Sequence, residues 1–380
     1  MADHSTPLPG TAAQAGILTY LHKKSAPLGV PLSGTFELTG RCNFRCRMCY
    51  VHGAENGTEA AEELSAAKWL SIGEQAAGAG MLFLLITGGE PLLRADFAEI
   101  YTGLGKLGLC LSVNTNGSLL RGETAELFLR QPPNRLNISL YGASDETYRA
   151  LCGVSAYNTV VNNILALQKR GIQIQLNVSM TPLNAADAGK IAAFAEEHGL
   201  HMKATAYLYP PVRLGAAAGE NRARFSAAEA GRMRAAADRL TLPPELFLRR
   251  AKAIADGTAP PLNPCIDELQ GTGSLCRAGR TAFWVDWRGR MSMCGMIGAR
   301  ADLKKRTFAD CWNEIRAGTA SIRLPAECGG CRYRAVCPVC AASCLAETGA
   351  FSRKPEYLCE MSRAYVEQTA RLARESAPAE

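Results

Sequence analysis

Three cysteines crowd the stretch "RCNFRCRMCY", where Cys42, Cys46 and Cys49 are spaced C-x3-C-x2-C. Clustered thiolates are metal ligands, yet a closed tetrahedral site needs four of them. His52 follows three residues after Cys49, so a Cys3His zinc site is one interpretation. The other is a cuboidal iron–sulfur cluster, in which three thiolates leave one iron open to bind and activate a ligand.

A second chemical stretch, "ITGGEP", ends an apolar run with Gly88, Gly89 and Glu90. Paired glycines allow a ligand to approach the backbone closely. A carboxylate beside them can receive an ammonium group through a charge-assisted hydrogen bond. The sequence therefore predicts a ligand site in which both stretches take part.

A strand–helix alternation that begins at Thr35 must position these residues. Six repeats predict a parallel sheet with helices outside and right-handed crossovers. Six units are fewer than the eight of a closed barrel, so an open barrel and a doubly wound sheet both fit. We expect an α/β fold: a partial (β/α)6 TIM-like barrel with a small Cys-rich C-terminal domain. The predicted strands cover residues 35–40, 82–89, 109–117, 135–142, 172–180 and 200–209.

Composition shifts suggest the domain boundaries. The segment "DGTAPPLNP" has the composition of a linker, and the cysteine density rises after it. The stretch "TAFWVDWRGRMSMC" predicts a hairpin that turns at Arg288-Gly289. With few apolar runs, the Cys-rich part should depend on metal for stability. We divide the chain into an irregular lead-in (1–34), the barrel (35–215), a helical connector and linker (216–264), the Cys-rich domain (265–362) and a C-terminal helix end and tail (363–380).

The C-x3-C-x2-C loop followed by GGEP resembles the radical S-adenosylmethionine (AdoMet) enzymes. The resemblance implies a [4Fe-4S] cluster on Cys42, Cys46 and Cys49, with the methionyl group of AdoMet on the open iron. One electron then cleaves AdoMet to a 5′-deoxyadenosyl radical, which abstracts a substrate hydrogen.

The same resemblance implies the residues that bind AdoMet. Gly88, Gly89 and Glu90 would hold the methionyl amino group, and Met48 or Tyr50 would border the adenine. Two residues at strand ends, Asn116 in "VNTNG" and Ser139 in "NISLYG", would also face the cofactor. Asn177 is a further candidate. Asn116-Gly117 is equally consistent with plain turn chemistry.

One departure from the family concerns the methionyl carboxylate. Many relatives carry an Arg-Gly after "SLYG", whereas this chain has Cys152-Gly153. Arg149, one turn earlier, or another group would take the role of that arginine. Cys152 is our candidate for a catalytic residue, with a redox or hydrogen-donor role. The alternative is a buried free thiol, as for Cys110 and Cys311.

The C-terminal cysteines resemble a SPASM domain, the auxiliary-cluster extension of many peptide-modifying radical enzymes. Its usual run is C-x2-C-x5-C-x3-C, but here the last position is Ala341, between two cysteines. The resemblance implies one or two auxiliary [4Fe-4S] clusters. A zinc ribbon built on two C-x2-C pairs is the alternative. One cluster would use Cys328, Cys331, Cys337 and Cys359; the other would use Cys276, Cys294 and either Cys340 or Cys344, with Cys265 as a further candidate.

Composition limits the partners and the compartment. The net charge of +7 is scattered along the chain, which indicates a solvated surface and no nucleic-acid partner. No apolar run reaches the roughly 20 residues of a membrane span, and the N-terminus lacks a signal peptide. We expect a cytoplasmic protein without a membrane partner. Fifteen cysteines in a reducing compartment indicate metal or cluster chemistry.

These resemblances predict an enzyme that modifies a ribosomally made peptide or protein. The product would be a thioether or carbon–carbon crosslink, or an epimerised residue. An external electron donor of the flavodoxin or ferredoxin type would be needed. The 34 residues before the first strand are too few for a leader-binding domain. Leader recognition would then come from a separate leader-binding protein, from the enzyme's own surface, or not at all.

Two alternatives remain open for the function. One is a sulfatase-maturing enzyme that forms formylglycine, although Gly295 replaces the acidic residue that tends to follow the hairpin cysteine there. The other, from a different class, is a non-catalytic iron–sulfur electron carrier or zinc scaffold. The GGEP stretch distinguishes a radical AdoMet enzyme from such a carrier or scaffold, because a carrier needs no AdoMet site.

Overall fold

The computed structural model describes residues 12–51, 62–210, 223–260, 276–298 and 301–376. The strands are β1 Ser33–Glu37, β2 Phe83–Thr87, β3 Cys110–Thr115, β4 Arg135–Ser139, β5 Ile174–Ser179, β6 His201–Thr205, β7 Ala282–Val285, β8 Arg290–Ser292 and β9 Ala301–Asp302. They form one sheet in the order β6-β5-β4-β3-β2-β1-β7-β8-β9.

Helices follow the strands of the barrel, and further helices lie in the connector and the C-terminal region. Short 3₁₀ turns add Pro91–Leu93, Ala185–Asp187 and Ala326–Cys328. The helices are α1 Ala12–Leu28, α2 Ala66–Gly78, α3 Phe97–Lys106, α4 Gly122–Arg130, α5 Asp145–Cys152, α6 Tyr157–Gln168, α7 Ala188–Glu197, α8 Ala227–Thr241, α9 Pro244–Ala255, α10 Phe308–Ala320, α11 Ala341–Thr348 and α12 Glu356–Ser376.

Strands β1 to β6 are all parallel and stand in the order of the chain. A doubly wound sheet reverses its strand order at a switch point, and these six strands have no reversal. The expected partial (β/α)6 barrel is confirmed. In β3, Leu111 and Val113 are buried in the core, whereas Ser112 and Asn114 are only partly buried on the opposite face. Alternation along β3 therefore separates an apolar outer face from a polar inner one.

The N-terminal segment corrects one expectation. Residues 12–28 form helix α1 instead of an irregular lead-in. The helix is fixed to the C-terminal region, because His22 Nδ1 lies 2.7 Å from Thr281 Oγ1. The indole of Trp312 also donates to the carbonyl of Gly29 at 2.7 Å. Pro, Gly, Ser and Thr at the ends of the segment obscured the helix-forming residues between them.

The Cys-rich region extends the barrel sheet. Strand β7 pairs parallel with β1, and β8 pairs antiparallel with β7. The predicted hairpin is confirmed, with Gly289 at its turn in the left-handed region at φ 79°. The expected boundary after residue 264 falls outside the described residues. Within the described part, the Cys-rich region shares its sheet with the barrel and does not form a sheet of its own.

The connector also matches its prediction. Residues 225–256 hold the two helices α8 and α9, against which α12 packs. A capping box between Ser226 and Glu229 begins α8. In the described ranges, no single helix is long and apolar enough to cross a membrane; only α5 and α6 taken together, bent by 108°, reach that length and composition.

Candidate active site

The loop between β1 and α2 carries Cys42, Cys46 and Cys49 as partly buried free thiols. The C-terminal end of α5 holds this loop through its backbone. The amide of Arg45 donates to the carbonyl of Cys152 at 2.8 Å, and Arg47 N donates to Leu151 O at 2.9 Å. The three cysteines thus lie at the carboxyl ends of the parallel strands, where α/β proteins place their sites.

Hydrogen-bond donors point at two of these sulfurs. The amide of Phe44 lies 3.4 Å from Cys42 Sγ, and the amide of Val51 lies 3.4 Å from Cys49 Sγ. Asn116 Nδ2 adds a contact of 3.7 Å to Cys42 Sγ. Burial raises the pKa of Cys42 to about 12, and the Phe44 amide opposes that shift. Amides aimed at buried sulfurs suit metal-bound thiolates, so the loop fits an iron–sulfur cluster.

The zinc alternative cannot be placed on the described residues. His52, its fourth ligand, lies outside them. In the described ranges, no three His, Cys, Asp or Glu side chains are grouped to hold one metal ion. A cluster spreads its thiolates over several irons, so this finding does not bear on the iron–sulfur interpretation.

Close backbone contacts explain why the first two positions of GGEP are glycines. Gly89 N donates to the carbonyl of Thr39 at 2.8 Å, and Glu90 N donates to Arg41 O at 2.8 Å. A Cβ at Gly88 would lie 2.7 Å from Thr39 O, and one at Gly89 would overlap the carbonyl of Arg41. The close neighbour that requires glycine is therefore the start of the cysteine loop itself. Contact of this turn with AdoMet remains a prediction.

Glu90 joins the ends of β2 and β3. Its carboxylate is fully buried and accepts hydrogen bonds from Thr115 Oγ1 at 2.9 Å and Asn116 N at 2.7 Å. Leu92 N donates to it at 3.1 Å. Burial raises the pKa of Glu90 to about 7, against the effect of these donors. The carboxylate is thus part of the frame of the site, and its contact with an ammonium group remains a prediction.

A polar network ties Asn116 to the cysteine loop. Asn116 Nδ2 donates to Asn43 Oδ1 at 2.8 Å, and Asn43 Nδ2 donates to Ser118 Oγ at 2.9 Å. Ser118 Oγ donates in turn to Asn116 Oδ1 at 2.7 Å. Gly117 adopts a left-handed φ of 82°, so the turn interpretation and the site interpretation both hold at this position.

The other predicted AdoMet residues occupy different environments. Ser139 ends β4 and is half-buried, and its hydroxyl is a hydrogen-bond partner of the Tyr141 phenol. Asn177 lies opposite Ser139 on β5 and accepts from Gln175 Nε2 at 2.8 Å. Met48 packs in the hydrophobic core, with 8% of its surface exposed. Of the two adenine candidates, only the half-buried Tyr50 has substantial exposed surface.

Cys152 lies beside the cluster loop. It is fully buried at the end of α5, and its thiol is hydrogen-bonded to Cys46. That contact, followed by burial, raises the pKa of Cys46. Arg149, the suggested substitute for the family arginine, is exposed and donates to Ser155 Oγ at 2.7 Å. The roles of both residues remain predictions.

Several C-terminal cysteines have pKa values raised by burial and by neighbouring thiols, and two groups of neighbours can be described. Burial raises the pKa of Cys328 to about 11, with further contributions from the nearby thiols of its group. Cys344 is buried, and its pKa is raised to about 12, first by burial and then by Cys340 and thiols of this group. The first group consists of Cys328, Cys331, Cys337 and Cys359.

The second group lies near Tyr209, which follows β6, and consists of Cys276, Cys294 and Cys340. The Tyr209 phenol lies 3.5 Å from Cys340 Sγ. Burial raises its pKa, as do the thiols of Cys340, Cys294 and Cys276. Cys340 caps α11, and its sulfur accepts from the Ser343 amide at 3.4 Å. The remaining candidate ligand, Cys265, lies outside the described residues.

Sequence reasoning missed Asn43, Ser118 and Tyr209. Asn43 lies inside the cysteine motif, and Ser118 lies beside the predicted Asn116, so adjacency could have indicated both. Tyr209 lies in "YLYP" and is the last residue of the sixth predicted strand. An aromatic residue at a strand end could have been considered, but its pairing with Cys340 depends on contacts far apart in the sequence.

Matches to parts of this chain include one family and two known proteins. Residues 36–195 match the family described as the Radical SAM superfamily. An AdoMet-dependent heme synthase of Methanosarcina barkeri is 28% identical over 340 residues, which are 85% of this chain and 94% of that protein. A probable GTP 3′,8-cyclase of Saccharolobus solfataricus is 33% identical over 166 residues. That match spans 43% of this chain and about half (53%) of the cyclase.

Solved structures share the fold at low identity. Streptococcus suis SuiB bound to the precursor peptide SuiA aligns with a TM-score of 0.64 at 17% identity, over 93% of this chain and 83% of SuiB. Native anSMEcpe with bound AdoMet and the Cp18Cys peptide aligns with a TM-score of 0.66 at 15% identity, over 91% of this chain and 99% of anSMEcpe. At these identities, the alignments establish the fold.

Proposed function

We propose that this chain, whose residues 36–195 match the Radical SAM superfamily, uses a 5′-deoxyadenosyl radical to modify a ribosomally made peptide or protein. The product would carry a thioether or carbon–carbon crosslink or an epimerised residue. The observation that carries the proposal is the cysteine loop, whose Cys42 and Cys49 sulfurs receive amide donors beside the fully buried Glu90.

The radical SAM family implies a [4Fe-4S] cluster and AdoMet. When bound, these groups supply the electron and the 5′-deoxyadenosyl unit of the radical. In our proposal, Cys42, Cys46 and Cys49 hold the cluster. The turn at Gly88–Glu90 binds the methionyl amino group, and Asn116 fixes the loop around Cys42 from the side of β3.

The inner face of the sheet provides groups for the substrate. Asn137 on β4 donates through Nδ2 to Asn114 Oδ1 at 2.8 Å. Asn137 Oδ1 is buried and has no hydrogen-bond partner. An unpaired buried acceptor costs free energy, so a donor from the substrate, such as a peptide N–H, would stabilise the complex.

Auxiliary clusters and protein partners belong to the same proposal. The two thiol groups, one with Cys328 and one with Cys340, would each hold a SPASM-type cluster. An external flavodoxin or ferredoxin would deliver the electron, and a separate protein could present the leader peptide. All fourteen cysteines in the described part of the chain are free thiols, which supports a reducing, cytoplasmic location.

The peptide substrate is supported by the fold of neighbours crystallised with peptides, SuiB and anSMEcpe. A second candidate function has a separate observation in its favour. The heme synthase match covers 94% of that protein, including its C-terminal half. A tetrapyrrole substrate would then replace the peptide.

The test begins with anaerobic reconstitution, a count of iron and sulfide, and assay of reductive 5′-deoxyadenosine release. We expect more than four irons per chain and release that disappears in Cys46→Ala, because one cluster iron loses its thiolate. Cys110→Ala is the matched control: Cys110 begins β3, away from both thiol groups, and its loss should leave release intact.

The outcomes separate the proposals. Release that survives in Cys46→Ala would contradict the radical mechanism. About four irons per chain would remove the auxiliary clusters. Deuterium transfer from a labelled precursor peptide into 5′-deoxyadenosine would support the peptide substrate. Transfer from a heme-precursor tetrapyrrole alone would favour the second candidate.

A further inference from the structure

Two tyrosines connect the end of β6 to helix α11. Tyr207 and Tyr209 follow β6, and their rings meet edge to face with centroids 5.0 Å apart. Tyr207 Oη donates to Glu347 Oε1 at 2.9 Å, near the C-terminal end of α11. Tyr209 Oη lies 3.5 Å from the sulfur of Cys340, at the other end of the helix. The barrel is thus fixed to α11 at both ends of that helix.

The direction of the Tyr209 hydrogen bond follows from chemistry. A thiolate bound to iron carries no proton, so it can only accept. A phenol with an ordinary pKa near 10 keeps its proton at neutral pH. The Ser343 amide already donates to the same sulfur at 3.4 Å. Tyr209 would therefore be a second donor to Cys340, from an element of the barrel.

A buried ion pair keeps this arrangement in place. Arg224 Nη1 donates to Glu347 Oε2 at 3.2 Å, and the two side chains are only 5% and 7% exposed. The guanidinium of Arg224 also lies 3.6 Å from the centre of the Tyr357 ring and 5.3 Å from that of Tyr207. Tyr207 is packed against Tyr209, so the Tyr209 ring has little freedom to turn away from Cys340.

We propose that Tyr209 is a positioning residue of an auxiliary site formed by Cys276, Cys294 and Cys340, and that its hydroxyl raises the reduction potential of the iron–sulfur cluster bound there. Hydrogen bonds to cluster sulfurs offset the extra negative charge of the reduced state. The proposal rests on the auxiliary clusters of the proposed function. It also assigns Cys340 to this site, because the Tyr209 phenol lies 3.5 Å from its sulfur.

The test compares reconstituted wild-type enzyme with Tyr209→Phe, which removes only the hydroxyl. We expect unchanged iron content and a more negative midpoint potential for one auxiliary cluster in an EPR-monitored redox titration. One of the exchangeable deuterons coupled to that cluster, seen by electron–nuclear double resonance in D2O, should disappear, while the deuteron of the Ser343 amide remains. Cys340→Ser identifies the signal, because it changes the ligand of the same cluster.

Tyr101→Phe is the control, because its buried hydroxyl donates to the Gln131 carbonyl at 2.9 Å in the helical shell of the barrel. It should leave every midpoint unchanged. An unshifted midpoint with the same coupled deuterons as the wild type in Tyr209→Phe overturns the proposal, as does a shift in a signal that Cys340→Ser leaves intact. If reconstituted wild-type enzyme binds no auxiliary iron, both this proposal and the auxiliary clusters of the proposed function are wrong. The radical mechanism is tested separately, by the release of 5′-deoxyadenosine from AdoMet.

Discussion

At the scale of single residues, the turn at Gly88 and Gly89 couples two chemical motifs through backbone geometry. The turn lies so close to residues 39–41 that side chains are excluded. The cysteine loop and the GGEP turn therefore form one rigid unit, hydrogen-bonded along their length. A substitution in either motif should therefore alter the backbone geometry of the other.

Replacement of Gly89 by alanine tests this coupling. The added Cβ would overlap the Arg41 carbonyl, so we expect a loss of about 1–3 kcal/mol in the free energy of unfolding. Iron bound by the cysteine loop should also decrease. Chemical denaturation and iron analysis provide the measurements. Gly78→Ala is the control, since no atom lies within 4 Å of its Cβ position; equal stability of the two variants would contradict the coupling.

Some residues of the site could be predicted from the sequence, and others could not. The spacing of Cys42, Cys46 and Cys49 is local, so it could be read directly from the chain. The frame around Glu90 could not, because Thr115 and Asn116 reach it from another strand. Asn43 was overlooked since its partners, Asn116 and Ser118, approach only after folding.

At the scale of elements, a buried ion pair joins α11 of the C-terminal region to the residues just before α8 in the connector. Glu347 on α11 meets Arg224, which leads into α8. Removal of one partner leaves the other charge buried without compensation. We expect Glu347→Gln to cost about 3–5 kcal/mol in the free energy of unfolding.

The matched control is Glu126→Gln in the exposed pair with Arg170, whose side chains are 50% and 52% exposed. Solvent screens that pair, so little change is expected. Thermal unfolding of both variants under anaerobic conditions gives the comparison. A Glu347→Gln protein as stable as Glu126→Gln would show that the ion pair does not hold α11.

Elements with strong local signals were predictable. The six strands of the barrel could be recognised from their apolar pattern. The helix at 12–28 was missed, because its place in the fold depends on contacts to Thr281 and Trp312. The pairing of β7 with β1 was missed as well, since no local pattern specifies a partner so distant in the sequence.

At the scale of the whole molecule, strand β1 lies between β2 and β7. A truncated chain that ends at residue 260 would lack β7 to β9 and leave one side of β1 unpaired. Unpaired strand edges promote association. We expect such a chain to aggregate in size-exclusion chromatography and to lose its cooperative unfolding transition.

A chain that ends at residue 376 serves as the comparison, because it keeps every described element. It should remain as cooperative as the full chain. A cooperative, monomeric product from the chain ending at residue 260 would mean that the barrel folds without the Cys-rich region.

The place of β1 also has a consequence for biosynthesis. The ribosome releases β1 and the adjoining cysteine loop early, but their neighbour β7 emerges only near the end of translation. Contacts so distant along the chain form slowly and leave intermediates exposed. A nascent chain would thus carry unprotected thiols throughout elongation, so cluster delivery and chaperone capture would compete for the same early segment.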